Sequence, residues 1–181
     1  LEEVLDWSRW DKAKEFWTET VGTGTVTYDT TQKKSGLASW KADGGSGNGN
    51  VLLGKKDILG NAGRTTFYLR LTDLPSVNSE IGDFYTGAFR LHIFLTTAGV
   101  LQLITPSLQI GSNGSTLSTG VWYRLSLAWS ITNSTTYEVR LYLGGVLDIT
   151  GSNSPTLEAA TLNAVYLGWS KAPGANKVLN F

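Results

Sequence analysis

Between Arg64 and Val146 the chain alternates apolar and polar residues in five consecutive segments, and most of the polar sides carry an arginine. In the first, Phe67, Leu69 and Leu71 share a face opposite Tyr68 and Arg70. In the second, Phe89, Leu91, Ile93 and Leu95 oppose Arg90, His92 and Phe94. Leu101 and Leu103 flank Gln102; Tyr123, Leu125, Leu127 and Trp129 oppose Trp122, Arg124, Ser126 and Ala128; Tyr137, Val139, Leu141 and Leu143 oppose Glu138, Arg140 and Tyr142. A period of two predicts half-buried β-strands, with one face on a core and the other open to solvent or ligand.

Shorter strands are predicted around this centre. Gly22–Tyr28 and Leu37–Ala42 alternate, Val51–Leu53 resumes after the glycine-rich loop 44–50, and Leu162–Trp169 and Lys177–Phe181 close the chain. Gly144-Gly145 marks a tight hairpin into Val146–Ile149. The segment 1–20, with Trp7, Trp10 and Trp17, reads as a short strand followed by a loop or a single helical turn plugging one end of the core. About 11 to 13 short strands with no long helix predict an all-β fold, a two-sheet antiparallel jelly-roll sandwich in which each sheet covers the other's apolar face. Residues 1–181 read as one such domain, a module excised from a larger chain.

Charge narrows the function. Lys plus Arg and Asp plus Glu both total 15, so the chain is neutral and lacks the basic surface that non-specific nucleic-acid binding requires. No apolar run reaches the roughly 18 residues of a membrane-spanning helix. The absence of cysteine excludes disulfides, zinc–thiolate sites and cysteine nucleophiles. Two sequons, at Asn113 and Asn133, lie in turn-like segments.

Several motifs resemble one family. Val26-Thr-Tyr-Asp29 followed by Ser35-Gly36-Leu-Ala-Ser39-Trp is similar to the opening of the concanavalin A-like, LamG-type jelly rolls. So are Thr119-Gly120-Val-Trp122-Tyr-Arg124-Leu and the hairpin Tyr137-Glu-Val-Arg-Leu-Tyr-Leu-Gly144-Gly145, while Val178-Leu-Asn180-Phe181 resembles the family's last strand. The resemblance implies a fold that hosts lectins, glycan-binding modules, glucanases, lyases and plain structural domains. It also implies a calcium ion near the chain ends as a possible cofactor. Asp43, Asn48 and Asn50, in and beside the glycine-rich loop, offer oxygen ligands of the kind calcium takes, without EF-hand spacing.

Catalytic constellations are thin. A glycosidase needs two carboxylates about 5 to 9 Å apart across the scissile bond. The nearest pair, Glu80 and Asp83, is three residues apart, which on a regular strand places the two on opposite faces. No Gly-x-Ser-x-Gly elbow accompanies the single histidine, His92. The lyases of the resembling fold use Arg, Gln, His and Tyr on their concave sheet.

Antiparallel neighbours in chain order would gather Tyr68, Arg70, Arg90, His92, Gln102, Arg124, Arg140 and Tyr142 onto one continuous, locally positive surface. Such a surface suits the carboxylates or sulfates of an acidic glycan. The sequence therefore predicts a non-catalytic carbohydrate-binding or adhesion module, extracellular or on a virion surface. The alternatives are a structural module of a virion or bacterial surface assembly that contacts proteins only, and a polysaccharide hydrolase or lyase.

Overall fold

Alternation becomes strand wherever one face finds a core. The computed structural model describes residues 19–22, 24–34, 39–44, 51–56, 60–86, 89–105, 108–154, 157, 164–169, 173–174 and 177–181. They form β1 (Glu19–Gly22), β2 (Thr25–Asp29), β3 (Ser39–Asp43), β4 (Val51–Lys56), β5 (Ala62–Leu71), β6 (Ser79–Thr86) and β7 (Phe89–Leu95). There follow β8 (Leu101–Ile104), β9 (Gln109–Ile110), β10 (Trp122–Asn133), β11 (Thr136–Leu143), β12 (Val146–Ser152), β13 (Ala164–Trp169) and β14 (Val178–Asn180). No helix occurs among the described residues.

The strands build two seven-stranded antiparallel sheets. Sheet A has the order β1-β4-β13-β6-β7-β8-β9, and sheet B the order β12-β11-β10-β5-β14-β3-β2. Between them lies the core foretold by the alternation. Phe67, Leu69, Leu91, Ile93, Leu103, Leu125, Leu127, Val139, Leu141 and Leu167 are all buried; Phe89, expected with them, has a side chain outside the described ones. Burying each such side chain contributes about 1.5–3 kcal/mol, most of it offset by chain entropy. Leu91 and Leu125 point inward, which fixes the register of both sheets, since a slip of one residue would invert every face. Trp129 and Trp169 are buried, and Trp40 packs partly buried against the same core.

Two features set the topology. The last strand, β14, inserts between β5 and β3, and its end is tied to β3 by reciprocal backbone bonds between Trp40 and Phe181 of 3.2 and 2.9 Å. The second is β6. The sequence pattern gives no strand there, yet Ser79–Thr86 pairs with both β7 and β13 in the middle of sheet A. Trp7, Trp10, Trp17 and most of the glycine-rich loop lie outside the described residues.

Candidate functional sites on the two outer faces

The expected single arginine surface is divided by this topology. β5, β10 and β11 are neighbours in sheet B, whereas β7 and β8 belong to sheet A, so the eight residues fall on two different sheets. Chain order misleads because the β5–β10 pairing spans β6 to β9, which leave to form the opposite layer.

Sheet B assembles Tyr68, Arg70, Arg124, Arg140 and Tyr142 on its outer face. Register places Trp122 opposite Arg70 and Arg124 opposite Tyr68, and joins Tyr142 to Thr66 through the central Ser126. Thr66 and Ser126 share a hydroxyl hydrogen bond of 2.7 Å that holds the middle of the face. The Arg64 guanidinium lies 4.8 Å from the centre of the Tyr142 ring, and Lys34 Nζ lies 5.7 Å from that of Tyr68. Both are cation–π placements. Arg70 donates from Nε to the Gly120 carbonyl at 3.2 Å, which steers its fork along the sheet. Arg140 donates to the Glu138 carboxylate from Nε at 2.8 Å and Nη2 at 2.6 Å. That carboxylate, with the Tyr142 hydroxyl, raises the Arg140 pKa further above its ordinary value. Tyr68, Arg70, Trp122, Arg124 and Tyr142 are half-buried, each packed along its stem and still open to solvent.

The outer face of sheet A is different in kind. Its central row runs Tyr166, Asp83, His92 and Ile104 across β13, β6, β7 and β8. The next row pairs Glu80 with Phe94 and Phe94 with Gln102. Glu80 and Asp83 reach the same face because β6 carries a register irregularity between Glu80 and Gly82: Ile81 is an extra residue, and the alternation restarts after it. Separation by three therefore does not separate the two carboxylates here. His92 Nδ1 stands 3.4 Å from Glu80 Oε2 and 3.5 Å from Asp83 Oδ1, and all three side chains are at most 6% exposed. Tyr166, beside them, is buried too.

The other sequence candidates on this sheet are placed as follows. Gln102 donates from Nε2 to Gln109 Oε1 at 3.1 Å and to Asn113 Oδ1 at 2.7 Å, an amide cluster at the β8–β9 end. Arg90 lies in β7 opposite Tyr85, two positions before His92. Of the calcium candidates, Asp43 lies in β3 with its carboxylate 3.2 Å from Lys41 Nζ, while Asn48 and Asn50 lie outside the described residues.

Sequence reasoning missed the Glu80–Asp83–His92 group, and Arg64 as a member of the sheet B face. A readable signal existed for the first. If Ile81 is counted as a bulge, Glu80 and Asp83 fall together on one side, while Gly82 and Phe84 fall on the other.

No protein-family model matches the chain, and no curated protein matches it. Solved structures do. The cellulose induced protein Cip1 is 22% identical, with a TM-score of 0.69 over 87% of this chain and 83% of that one. An endo-β-1,4-glucuronan lyase from the fungus Trichoderma reesei is 14% identical, with a TM-score of 0.63 over 91% and 88%. Domain 4 of AbnA, an extracellular arabinanase from Geobacillus stearothermophilus solved with arabinotriose, is 16% identical, with a TM-score of 0.58 over 91% and 82%. At these identities the likeness is one of fold: an all-β sandwich of two antiparallel sheets.

Proposed function

We propose that this protein is a non-catalytic, concanavalin A-like polysaccharide-recognition module acting outside the cell, and that it holds an acidic polymer on the outer face of sheet B. The alternation of guanidinium groups with aromatic rings across β5, β10 and β11 carries the reading: Trp122 beside Arg70, Tyr68 beside Arg124, Arg64 over Tyr142. Aromatic faces stack on the apolar face of a sugar ring, and a planar fork takes a carboxylate with two parallel hydrogen bonds. Exposure favours this sheet over the other, since its side chains are open to solvent while Glu80, Asp83, His92 and Tyr166 are buried. The names of the neighbours, a cellulose-induced protein, a glucuronan lyase and an arabinanase domain solved with arabinotriose, support a carbohydrate-related role.

Affinity electrophoresis in gels cast with polyglucuronate or alginate tests the proposal, with neutral arabinan as the reference. Retardation by the acidic gels alone is expected. Equal mobility in all gels removes the reading, and self-assembly without glycan binding would replace it with a structural module. One observation favours a second reading, elimination from a uronate polymer: Tyr166, Asp83 and His92 stand in one row across adjacent strands. Ultraviolet absorbance of unsaturated ends, accumulating when the protein is incubated with the same polymers, would establish it in place of recognition alone.

A further inference from the structure

The outer face of sheet B carries one small arrangement twice, a tyrosine ring with a cation seated against it. Lys34 Nζ lies 5.7 Å from the centre of the Tyr68 ring, and the Arg64 guanidinium lies 4.8 Å from that of Tyr142. Register fixes how far apart the two pairs stand. Tyr142 on β11 is level with Ser126 on β10 and Thr66 on β5, and Tyr68 lies two residues further along β5. Two strand spacings of about 4.8 Å and two residues of about 3.3 Å separate the tyrosine Cα atoms by about 12 Å, on a diagonal across three strands. The floor between the rings is low, because Thr66 and Ser126 are small and join their hydroxyls to each other at 2.7 Å.

The two cations reach their rings from different elements, so the repeat is not a by-product of one strand's period. Arg64 stands on β5 itself, whereas Lys34 lies in the link that follows β2. A polar brace fixes that link to the sheet. Asp29 Oδ1 accepts from the backbone N–H groups of Thr31 at 2.8 Å and Gln32 at 3.0 Å, and Ser39 Oγ donates to the Gln32 carbonyl. Asn180 Nδ2 donates to Asp29 Oδ2 at 3.1 Å and to Ser39 Oγ at 3.2 Å. Ser39 and Asn180 are buried, and Asn180 is the register partner of Arg70, so the brace ends beside the arginine–aromatic face. Lys34 itself stays exposed.

A cation against one face of a ring leaves the other face to a ligand, and both tyrosines are half-exposed. A uronate stacked on either ring brings its carboxylate within reach of the neighbouring cation. Resting on the acidic-glycan reading of this face, we propose that Tyr68 with Lys34 and Tyr142 with Arg64 are two equivalent uronate subsites, so that the protein measures polymer length. A ligand too short to cover both rings occupies one subsite at a time. In a longer one the second contact is intramolecular and raises affinity without any new kind of interaction.

The test is calorimetric titration of the full chain with the dimer, tetramer and octamer of glucuronate. The tetramer should bind about tenfold tighter than the dimer or better, and the octamer little tighter than the tetramer. Tyr68→Ala and Tyr142→Ala should each bring the tetramer down to the affinity of the dimer, while Tyr68→Phe and Tyr142→Phe keep most of the gain. Lys34→Gln alters only an exposed side chain, so it leaves the fold intact and should remove part of the same gain, with Lys34→Arg restoring it. Failure to bind any oligomer or the polymer overturns the glycan reading and the two subsites together. Binding in which dimer and tetramer are equal, in which affinity climbs evenly through the octamer, or in which the folded variants keep the full gain overturns the paired subsites alone.

Discussion

Asn180 donates from Nδ2 to Asp29 Oδ2 at 3.1 Å, joining residues 151 positions apart in the chain. The same carboxylate accepts from Thr31 N at 2.8 Å, Thr31 Oγ1 at 2.6 Å and Gln32 N at 3.0 Å. Burial alone would raise its pKa; the hydrogen bonds outweigh burial and hold it at about 2, against an ordinary 3.8. A carboxyl whose folded pKa is depressed contributes stability that is complete above the unfolded value and lost as pH falls through the folded one. The loss here falls between pH about 4 and about 2. The full shift corresponds to about 2.4 kcal/mol, and solvent screening at this partly exposed site reduces it to about 1–1.5 kcal/mol. Asp29→Ala should cost about 1–2 kcal/mol at neutral pH. In urea titrations it should also flatten the dependence of stability on pH across that acid window. A variant as acid-sensitive as the parent would show that the carboxylate is not the titrating brace.

The β11–β12 hairpin makes a second prediction. Leu143 pairs with Val146, so the loop is Gly144-Gly145, with φ of 61° and 92°. Two consecutive positive φ values are what a type I′ turn requires. A Cβ at Gly144 would meet nothing within 4 Å, and one at Gly145 would meet only Arg124 Nη1 at 4.0 Å, so any penalty is conformational. Gly144→Asn should be nearly neutral in thermal unfolding, because Asn tolerates the left-handed region. Gly145→Val should lose about 1–2 kcal/mol or more, because a β-branched residue does not. Equal melting temperatures would mean the turn has another geometry in solution.

The sequence revealed the inward faces and left the partition between sheets hidden. Phe67, Leu91 and Leu125 alternate with polar neighbours because successive side chains point to opposite faces of a strand, and that local fact is written in the period. Nothing in the period says that β5 pairs with β10 and β14 while β7 pairs with β6 and β8. Those choices come from long-range closure, and they divided the supposed single arginine face. Glu80 and Asp83 were hidden for a local reason instead. One bulged residue changes the phase of alternation, and a reading at strict period two assigns the carboxylates to opposite sides.

Gly63 and Trp129 are cross-strand partners on the inner face of sheet B, and the indole spreads over the space a side chain would fill. A Cβ at Gly63 would stand 2.6 Å from Trp129 Cζ2. The ring cannot move away cheaply, since its Nε1 donates to the Gly60 carbonyl at 2.9 Å. Gly63→Ala should therefore destabilise by about 1–3 kcal/mol, the usual range for overpacking. Trp129→Phe also destabilises, through a smaller ring and a lost bond. If the clash is the cause, the double variant loses less than the sum of the two single losses in a denaturation cycle. Strict additivity would place the effect of Gly63→Ala in the backbone.

The final prediction separates the two faces. Arg70 and Arg124 flank the Tyr68–Trp122 aromatic pair on sheet B, and neither guanidinium is buried in the core. Removing both should weaken binding to polyglucuronate or alginate by tenfold or more, since each bond to a charged group contributes about 1.5–3 kcal/mol. The melting temperature should change little, because only the Arg70 bond to Gly120 and some stem packing are lost. Arg70→Lys with Arg124→Lys keeps the charge and removes the fork, so it should recover only part of the affinity. Arg140→Ala should matter less, because that guanidinium is already engaged by Glu138. The salt dependence of binding should fall with the double alanine variant and persist with the double lysine variant. Should Glu80→Gln or Asp83→Asn lower glycan affinity while Arg70→Ala and Arg124→Ala do not, the polymer lies on sheet A, and the arginine–aromatic face is solvated surface.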